Sequence, residues 1–196
     1  MAHLTFVYGT VNSGKSMELL RINHNYESLG RKVALLTPTT DTRSETPEVW
    51  SRAGMSAPAM SFTPDDDLLI AVDKSVEAVL VDEAQFLTRD QVDQLAYMAD
   101  YLDVSVMAFG LKNDSNNNLF EGSEALVVTA DKLEEIKTIN TYGQGKATMN
   151  LKLVDGKPSF NNPQVEIEAK GKTTYIPVSR KSYTDLLRAN LGEKRS

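Results

Sequence analysis

The segment Gly9-Thr10-Val11-Asn12-Ser13-Gly14-Lys15-Ser16 follows the pattern G-x-x-x-x-G-K-[ST], between an apolar run from Leu4 to Tyr8 and a helix-like run from Lys15 to Leu29. A buried strand, a glycine turn and a helix in that order restrict the chain to an α/β architecture, because the strand needs cover and the helix supplies it. The turn also carries a chemistry. Glycines let backbone N–H groups and the helix N-terminus close around a polyphosphate, with Lys15 reaching the β- and γ-phosphates and Ser16 ligating Mg²⁺. A glycine turn opening an ordinary helix would explain Gly9 and Gly14 but not Lys15-Ser16 at this offset, so Gly9 to Ser16 read as nucleotide ligands.

The alternation continues. Lys32 to Thr37 is a second buried strand, Ala78 to Asp82 a third, Val104 to Gly110 a fourth and Leu133 to Ile139 a fifth, with helices expected from Thr88 to about Leu102 and from Ser123 to about Thr129. Strands alternating with helices imply a parallel sheet covered on both faces. Between Pro38 and about Ser75, four prolines and Asp65-Asp66-Asp67 predict a long surface excursion, mobile before ligand binds, with Trp50 as a loop anchor. Tyr97 and Tyr101, one helical turn apart, can meet a partner subunit, but packing on their own sheet is the expected use. After Ile139 short β-prone pieces around Gly143, Gly156, Pro163 and Pro177 predict a small β-rich appendage over about Asn140 to Arg180, closed by a helix from Tyr183 to Leu191. The expected division is residues 1–139 and 140–196; a chain of 196 residues with 41% hydrophobic content can fill one core with such an appended unit.

Composition removes several functions. Lys and Arg total 21 against 27 Asp and Glu, which disfavours nucleic acid as a partner. There are no cysteines, hence no disulfides or thiolate zinc sites, and two histidines cannot form a metal cluster. No run reaches the roughly 18 apolar residues of a membrane span, so no membrane association and a cytoplasmic location are expected.

In an open α/β sheet, ligands gather at the carboxyl ends of the strands, so Asp82-Glu83 should converge with the glycine turn. Asp82 is then a metal carboxylate, holding Mg²⁺ with Ser16, and Glu83 a general base. Adjacent acids after a strand can instead merely face solvent. Asp41-Thr42-Arg43 follows the second strand, where Arg43 could stabilise a transferred phosphoryl group and Asp41 orient it or a metal-bound water; a loop ion pair is the alternative. Arg52 offers a similar role on weaker grounds.

These motifs resemble the type II thymidine kinase family, especially its bacterial members. Gly9 to Ser16, Asp41-Thr42-Arg43, Ser51-Arg52-Ala53-Gly54 and Val81-Asp82-Glu83-Ala84-Gln85-Phe86-Leu87 carry the likeness. Gly110-Leu111-Lys112-Asn113-Asp114, Leu119-Phe120-Glu121-Gly122-Ser123, Lys146-Ala147-Thr148-Met149 and Tyr175-Ile176-Pro177-Val178-Ser179-Arg180 extend it in family order. The resemblance implies a RecA-like P-loop domain with a β lid that transfers the γ-phosphoryl of ATP to the 5′-hydroxyl of thymidine or deoxyuridine, in pyrimidine deoxynucleoside salvage. By the same carry-over Glu83 is the catalytic base, Arg43 and Arg52 attend the phosphates, and Asp41 and Gln85 join the nucleotide set. Leu111, Phe120, Ile167 and Tyr175 surround the acceptor, and the chain assembles as a homotetramer or homodimer.

Two departures stand out. The family's four zinc-binding cysteines correspond to Asn140, Tyr142, Ser179 and Ser182, poor ligands for a tetrahedral structural site, so no zinc is expected and the lid must be held by packing and hydrogen bonds, with Tyr142 a candidate. Ser115 stands where an aromatic residue is usual, and Glu168-Ala169 where a glycine pair is usual, which reshapes the base pocket. A nucleoside kinase with an altered acceptor, or a catalytically silent nucleotide-binding regulator, are the alternative readings.

Overall fold

The computed structural model describes residues 2–39, 47–160 and 172–192. In chain order the first unit contains β1 (Leu4–Gly9), α1 (Lys15–Ser28), β2 (Val33–Pro38), β3 (Glu48–Trp50), β4 (Ser56–Pro58), β5 (Met60–Phe62) and α2 (Leu68–Ala71). It continues with β6 (Ala78–Val81), a 3-10 turn (Ala84–Phe86), α3 (Arg89–Leu102), β7 (Ser105–Gly110), α4 (Glu121–Thr129) and β8 (Lys132–Ile136). The remaining elements, where the family resemblance implies a lid, are β9 (Thr138–Ile139), β10 (Lys146–Ala147), β11 (Met149–Val154), β12 (Lys157–Ser159), β13 (Thr173–Val178) and α5 (Arg180–Asn190).

Six strands form one sheet in the order β5-β2-β6-β7-β1-β8, and every pairing in it is parallel. Strand side chains alternate between faces, and here both faces are apolar. Val7, Leu35, Leu80 and Phe109 meet Leu19 and Leu20 of α1 on one side. Phe6, Leu36, Val79, Val81, Val106 and Ala108 meet α3 and α4 on the other, through residues such as Leu95, Met98 and Leu126. Two-sided burial explains why these strands read as continuous apolar runs. The start of α3 is a reciprocal cap: Gln91 N–H donates to Thr88 Oγ at 3.2 Å and Thr88 N–H to Gln91 Oε1 at 3.2 Å.

The segment after β2 differs from the expected surface excursion. Pro38 lies inside β2 and pairs with Phe62. β3 and β4 form a hairpin, β5 adds an edge strand to the main sheet, and Val49, Phe62 and Leu68 are buried in the core. Gln91 fastens the chain after β5 by donating from Nε2 to the carbonyls of Thr63 at 2.7 Å and Asp66 at 3.0 Å. Val49, not Trp50, is the anchor; Trp50 is half exposed. Tyr97 and Tyr101 also depart from expectation. Their rings lie 4.8 Å apart on the solvent side of α3, while Val92, Leu95, Met98 and Ala99 take the sheet-facing side.

In the lid, β11 pairs antiparallel with β12 and β13, and Leu151, Val178 and Tyr183 form a small core of its own. β9 pairs with β10. The four positions matched to the family's cysteines come together. Asn140 Oδ1 accepts from Ser179 N–H at 2.9 Å and Tyr142 N–H at 3.3 Å, and its Nδ2 donates to Tyr142 O at 3.0 Å and Ser182 Oγ at 3.3 Å. Ser179 Oγ donates to Ser182 Oγ at 3.0 Å and accepts from Ser182 N–H at 3.1 Å, which caps α5. Tyr142 contributes its backbone to this knot, while its side chain is half exposed.

Candidate active site

The glycine turn sits at the carboxyl end of β1, and Gly14 precedes α1 with φ +89°, a backbone setting that glycine adopts without strain. A Cβ on Gly9 would come within 2.9 Å of the Ile136 carbonyl, so this close approach of loop and strand requires glycine as well. Lys15 is buried, its Nζ donates to Thr10 O at 3.0 Å, and burial lowers its pKa while Glu83 and Asp82 oppose that shift. The hydroxyls of Thr10 and Ser13 are buried without a protein partner.

β6 runs parallel between β2 and β7, which delivers Asp82 and Glu83 to the same edge as the turn. Asp82 N–H is pinned to Leu36 O at 2.8 Å, and its two carboxylate oxygens accept from Ser16 Oγ at 3.0 and 3.2 Å. Burial, and then the neighbouring Glu83, push the Asp82 carboxyl up to about 7. A hydroxyl beside a desolvated carboxylate is a hard oxygen pair, the donor chemistry that Mg²⁺ takes with phosphate oxygens. Together with the unpartnered hydroxyls of the turn, it fits a metal–polyphosphate.

Glu83 occupies the left-handed region at φ +49°, ψ +43°, a costly setting for a residue with a side chain. Its Oε2 accepts from Gln85 Nε2 at 2.6 Å, and Gln85 Oε1 accepts from Leu111 N–H at 2.9 Å. The buried Gln85 amide therefore links the acid after β6 to the loop after β7. A Cβ at Gly110 would lie 2.9 Å from Gln85 Oε1, so glycine makes room for that amide.

A cleft of about 330 Å³ lies between the glycine turn, Trp50 to Ala53, Glu83 and Leu111. Arg52 lines it and is close enough to Lys15 to disfavour that residue's charge. Of the expected nucleotide ligands, Gln85 has its amide committed to Glu83 and Leu111. Phe120 is buried and packs edge-on against Phe86 at 6.0 Å, and Tyr175 stands half exposed on β13 opposite Lys152. Neither lines the cleft among the described residues. Asp41, Arg43 and Ile167 lie outside the described residues, as do Glu168 and Ala169.

Sequence reasoning missed the bridging function of Gln85 and the placement of Trp50 at the cleft. Alternation did carry a signal for Trp50, since a strand that buries Val49 turns its neighbour outward.

A family profile described as thymidine kinase matches residues 2–183. The chain is 50% identical over 186 residues to a thymidine kinase of Streptococcus gordonii, covering 93% of this chain and 96% of that protein. A thymidine kinase of Lactococcus lactis subsp. lactis is 49% identical over 186 residues, covering 93% and 97%. Among solved structures, the Pif1 helicase of Candida albicans overlays on 70% of this chain and 36% of its own with a TM-score of 0.43 at 12% identity, too slight a likeness to add to the sequence relatives. With one profile spanning nearly the whole length and relatives at half identity over the same span, the chain belongs to the thymidine kinase family.

Proposed function

We propose that in this thymidine kinase Glu83 removes the proton from the 5′-hydroxyl of thymidine as the γ-phosphoryl of ATP moves onto that oxygen. The new bond is 5′-oxygen to γ-phosphorus, the broken one joins γ-phosphorus to the bridging oxygen of ADP, and the proton goes to a Glu83 carboxylate oxygen. Glu83 serves because Gln85 fixes one of its oxygens at 2.6 Å at the rim of the cleft, which aims the carboxylate. The amides of the Gly9–Ser16 turn other than Val11, whose N–H donates to Asn150 Oδ1, and the Lys15 ammonium hold the phosphates; Lys15 exchanges its bond to Thr10 O for a phosphate oxygen. Arg52, at the cleft, and Arg43 offset the charge on the transferred group, with Asp41 as an orienting acid. Ser16 and Asp82 would hold Mg²⁺, which neutralises phosphate charge when bound.

Leu111, which lines the cleft, faces the acceptor, with Phe120 setting the position of its loop from behind; the family resemblance assigns Ile167 and Tyr175 to the same substrate. Deoxyuridine, lacking only the base methyl group, is a second acceptor. The reaction supplies a DNA precursor by salvage. The enzyme acts in the cytoplasm as a dimer or tetramer, and the exposed Tyr97–Tyr101 pair on α3 offers a surface for that assembly.

The observation that carries this reading is the convergence of the Ser16–Asp82 pair and the Glu83–Gln85–Leu111 chain on one cleft. ADP release from ATP–Mg²⁺ with thymidine, deoxyuridine, deoxycytidine and no acceptor tests it, with Glu83→Gln beside the wild type. Loss of a general base lowers kcat by about 10²- to 10⁴-fold, with ATP affinity little changed. A Glu83→Gln enzyme that keeps its kcat would overturn the assignment.

A further inference from the structure

One lid residue reaches the phosphate-binding turn. On β11, Leu151 and its partly buried neighbours Met149 and Leu153 face the lid's own core, so the intervening Asn150 points the other way, toward the sheet edge that carries the cleft. It is 2% exposed. Its Oδ1 accepts from Val11 N–H, inside the glycine turn, at 2.9 Å across 139 residues of sequence. Its Nδ2 donates to Asn113 O, in the loop after β7, at 2.8 Å across 37 residues. A buried primary amide is costly unless both ends are bonded, and here each end holds the backbone of a different substrate loop.

Among the described residues, side chains from outside the loop after β7 hold several of its backbone atoms; Ser123 Oγ donates to Leu111 O at 2.5 Å. Gln85 accepts from Leu111 N–H at 2.9 Å, Asn150 donates to Asn113 O at 2.8 Å, and Tyr183 Oη donates to Ser115 O at 2.8 Å. The Asn150 amide joins that loop directly to the turn that binds ATP. We propose that Asn150 is a positioning residue that fixes the phosphate-binding turn relative to the acceptor loop, so that occupancy of one substrate site is felt at the other. This rests on the placement of ATP at Gly9 to Ser16 and of the acceptor beside Leu111. Asn150 touches neither substrate; it acts through Val11 and Asn113. The amide is the side chain suited to the task, because one end must accept and the other donate.

The test is a binding measurement on the full-length protein. Thymidine affinity is measured by calorimetry with and without a saturating non-hydrolysable ATP analogue, in wild type, Asn150→Ala and Tyr183→Phe. In the wild type the analogue changes thymidine affinity by about five-fold or more, within the usual span of site-to-site coupling. In Asn150→Ala the ratio falls to near one, while each ligand alone binds within about three-fold of wild type. Tyr183→Phe, which cuts another lid bond to the same loop but leaves Val11 alone, keeps the wild-type ratio. Asn150→Ser, whose hydroxyl helps solvate the freed backbone groups, carries the same expectation should Asn150→Ala fail to fold.

A wild-type ratio of one overturns the proposal, and so does a ratio that survives in the Asn150 variants or falls equally in Tyr183→Phe. Loss of both single-ligand affinities together with a lowered melting temperature also overturns it, because Asn150 would then serve the fold alone. Turnover is read separately in the Glu83→Gln assay. A failed kinase reading therefore shows as absent ADP release, and a failed strap as unchanged coupling.

Discussion

The left-handed backbone at Glu83 puts the carboxylate after β6 at the cleft instead of along the sheet, and the Gln85 amide then locks it there. Gln85→Leu keeps the bulk but removes the donor to Glu83 and leaves Leu111 N–H without its acceptor. A hydrogen bond to a charged group contributes about 1.5–3 kcal/mol, so kcat should fall by about 10- to 100-fold with the ATP KM nearly unchanged, as steady-state kinetics would read. An equal rise in both KM values at constant kcat would place Gln85 in ligand binding instead. Asp82 yields a pH prediction. Its folded pKa of about 7 lies above the 3.8 of an ordinary aspartate, so the folded state holds its proton more tightly than the unfolded chain does. The ligand-free protein therefore loses stability from this group as pH rises from about 4 to 7, and above that the loss is constant. Asp82→Asn removes the effect: its stability advantage over wild type should grow through that window, by on the order of 1 kcal/mol per pH unit, and then level off. Denaturant midpoints at pH 5 and pH 8 check it, and an advantage that shrinks with rising pH would contradict the assignment.

Secondary-structure elements carry the site by contact, and α4 is the tightest case. A Cβ on Gly122 would lie 2.6 Å from Ala84 O and 2.7 Å from Leu87 O, backbone atoms of the turn that follows Glu83. Gly122→Ala must therefore lift α4 or shift that turn. Overpacking of this kind costs about 1–3 kcal/mol, and kcat should drop with stability because the displaced turn supports Glu83 and Gln85. Denaturant titration and kinetics on the same sample would show both losses, whereas lost stability with intact kcat would mean that α4 alone yields. The elements differ in how readable they were from the chain. β1, β2, β6 and β7 were plain because two-sided burial makes uninterrupted apolar runs, and α3 because Thr88 and Gln91 spell its cap. β3, β4 and β5 were hidden. Each has three residues, too few for an alternation to register, and the prolines around them read as a loop. Burial of Val49, Phe62 and Leu68 is decided by distant partners and not by local pattern.

Across the whole molecule the same contrast holds between the glycine turn, whose residues are contiguous, and the bonds that join the main sheet's loops to β11 and α5, whose partners are far apart. Gly9 to Ser16 and Asp82-Glu83 could be read directly, but an asparagine bonded across 139 residues gives no local sign. The lid illustrates the limit. Its sequence said that Asn140, Tyr142, Ser179 and Ser182 could not act as thiolates, and only the fold says that they tie one another. A core of Leu151, Val178 and Tyr183 is too small to stand alone, so the base of the lid depends on Asn140, whose Oδ1 takes the N–H groups of Ser179 and Tyr142. Asn140→Ala strands both donors in a partly buried setting, at a cost of about 1 kcal/mol or more. That cost should stay local. Amide hydrogen exchange should quicken by about 10- to 100-fold at Tyr142, Ser179 and Ser182, as expected when 1.4 kcal/mol is a factor of ten in the opening equilibrium, while β1, β6 and β7 keep wild-type protection. The thymidine KM should rise more than the ATP KM, since the lid touches the acceptor loop at Ser115 and Asn113. Equal acceleration in the central sheet would show that the lid and the sheet unfold as one cooperative body, and that the Asn140 knot stabilises the molecule as a whole.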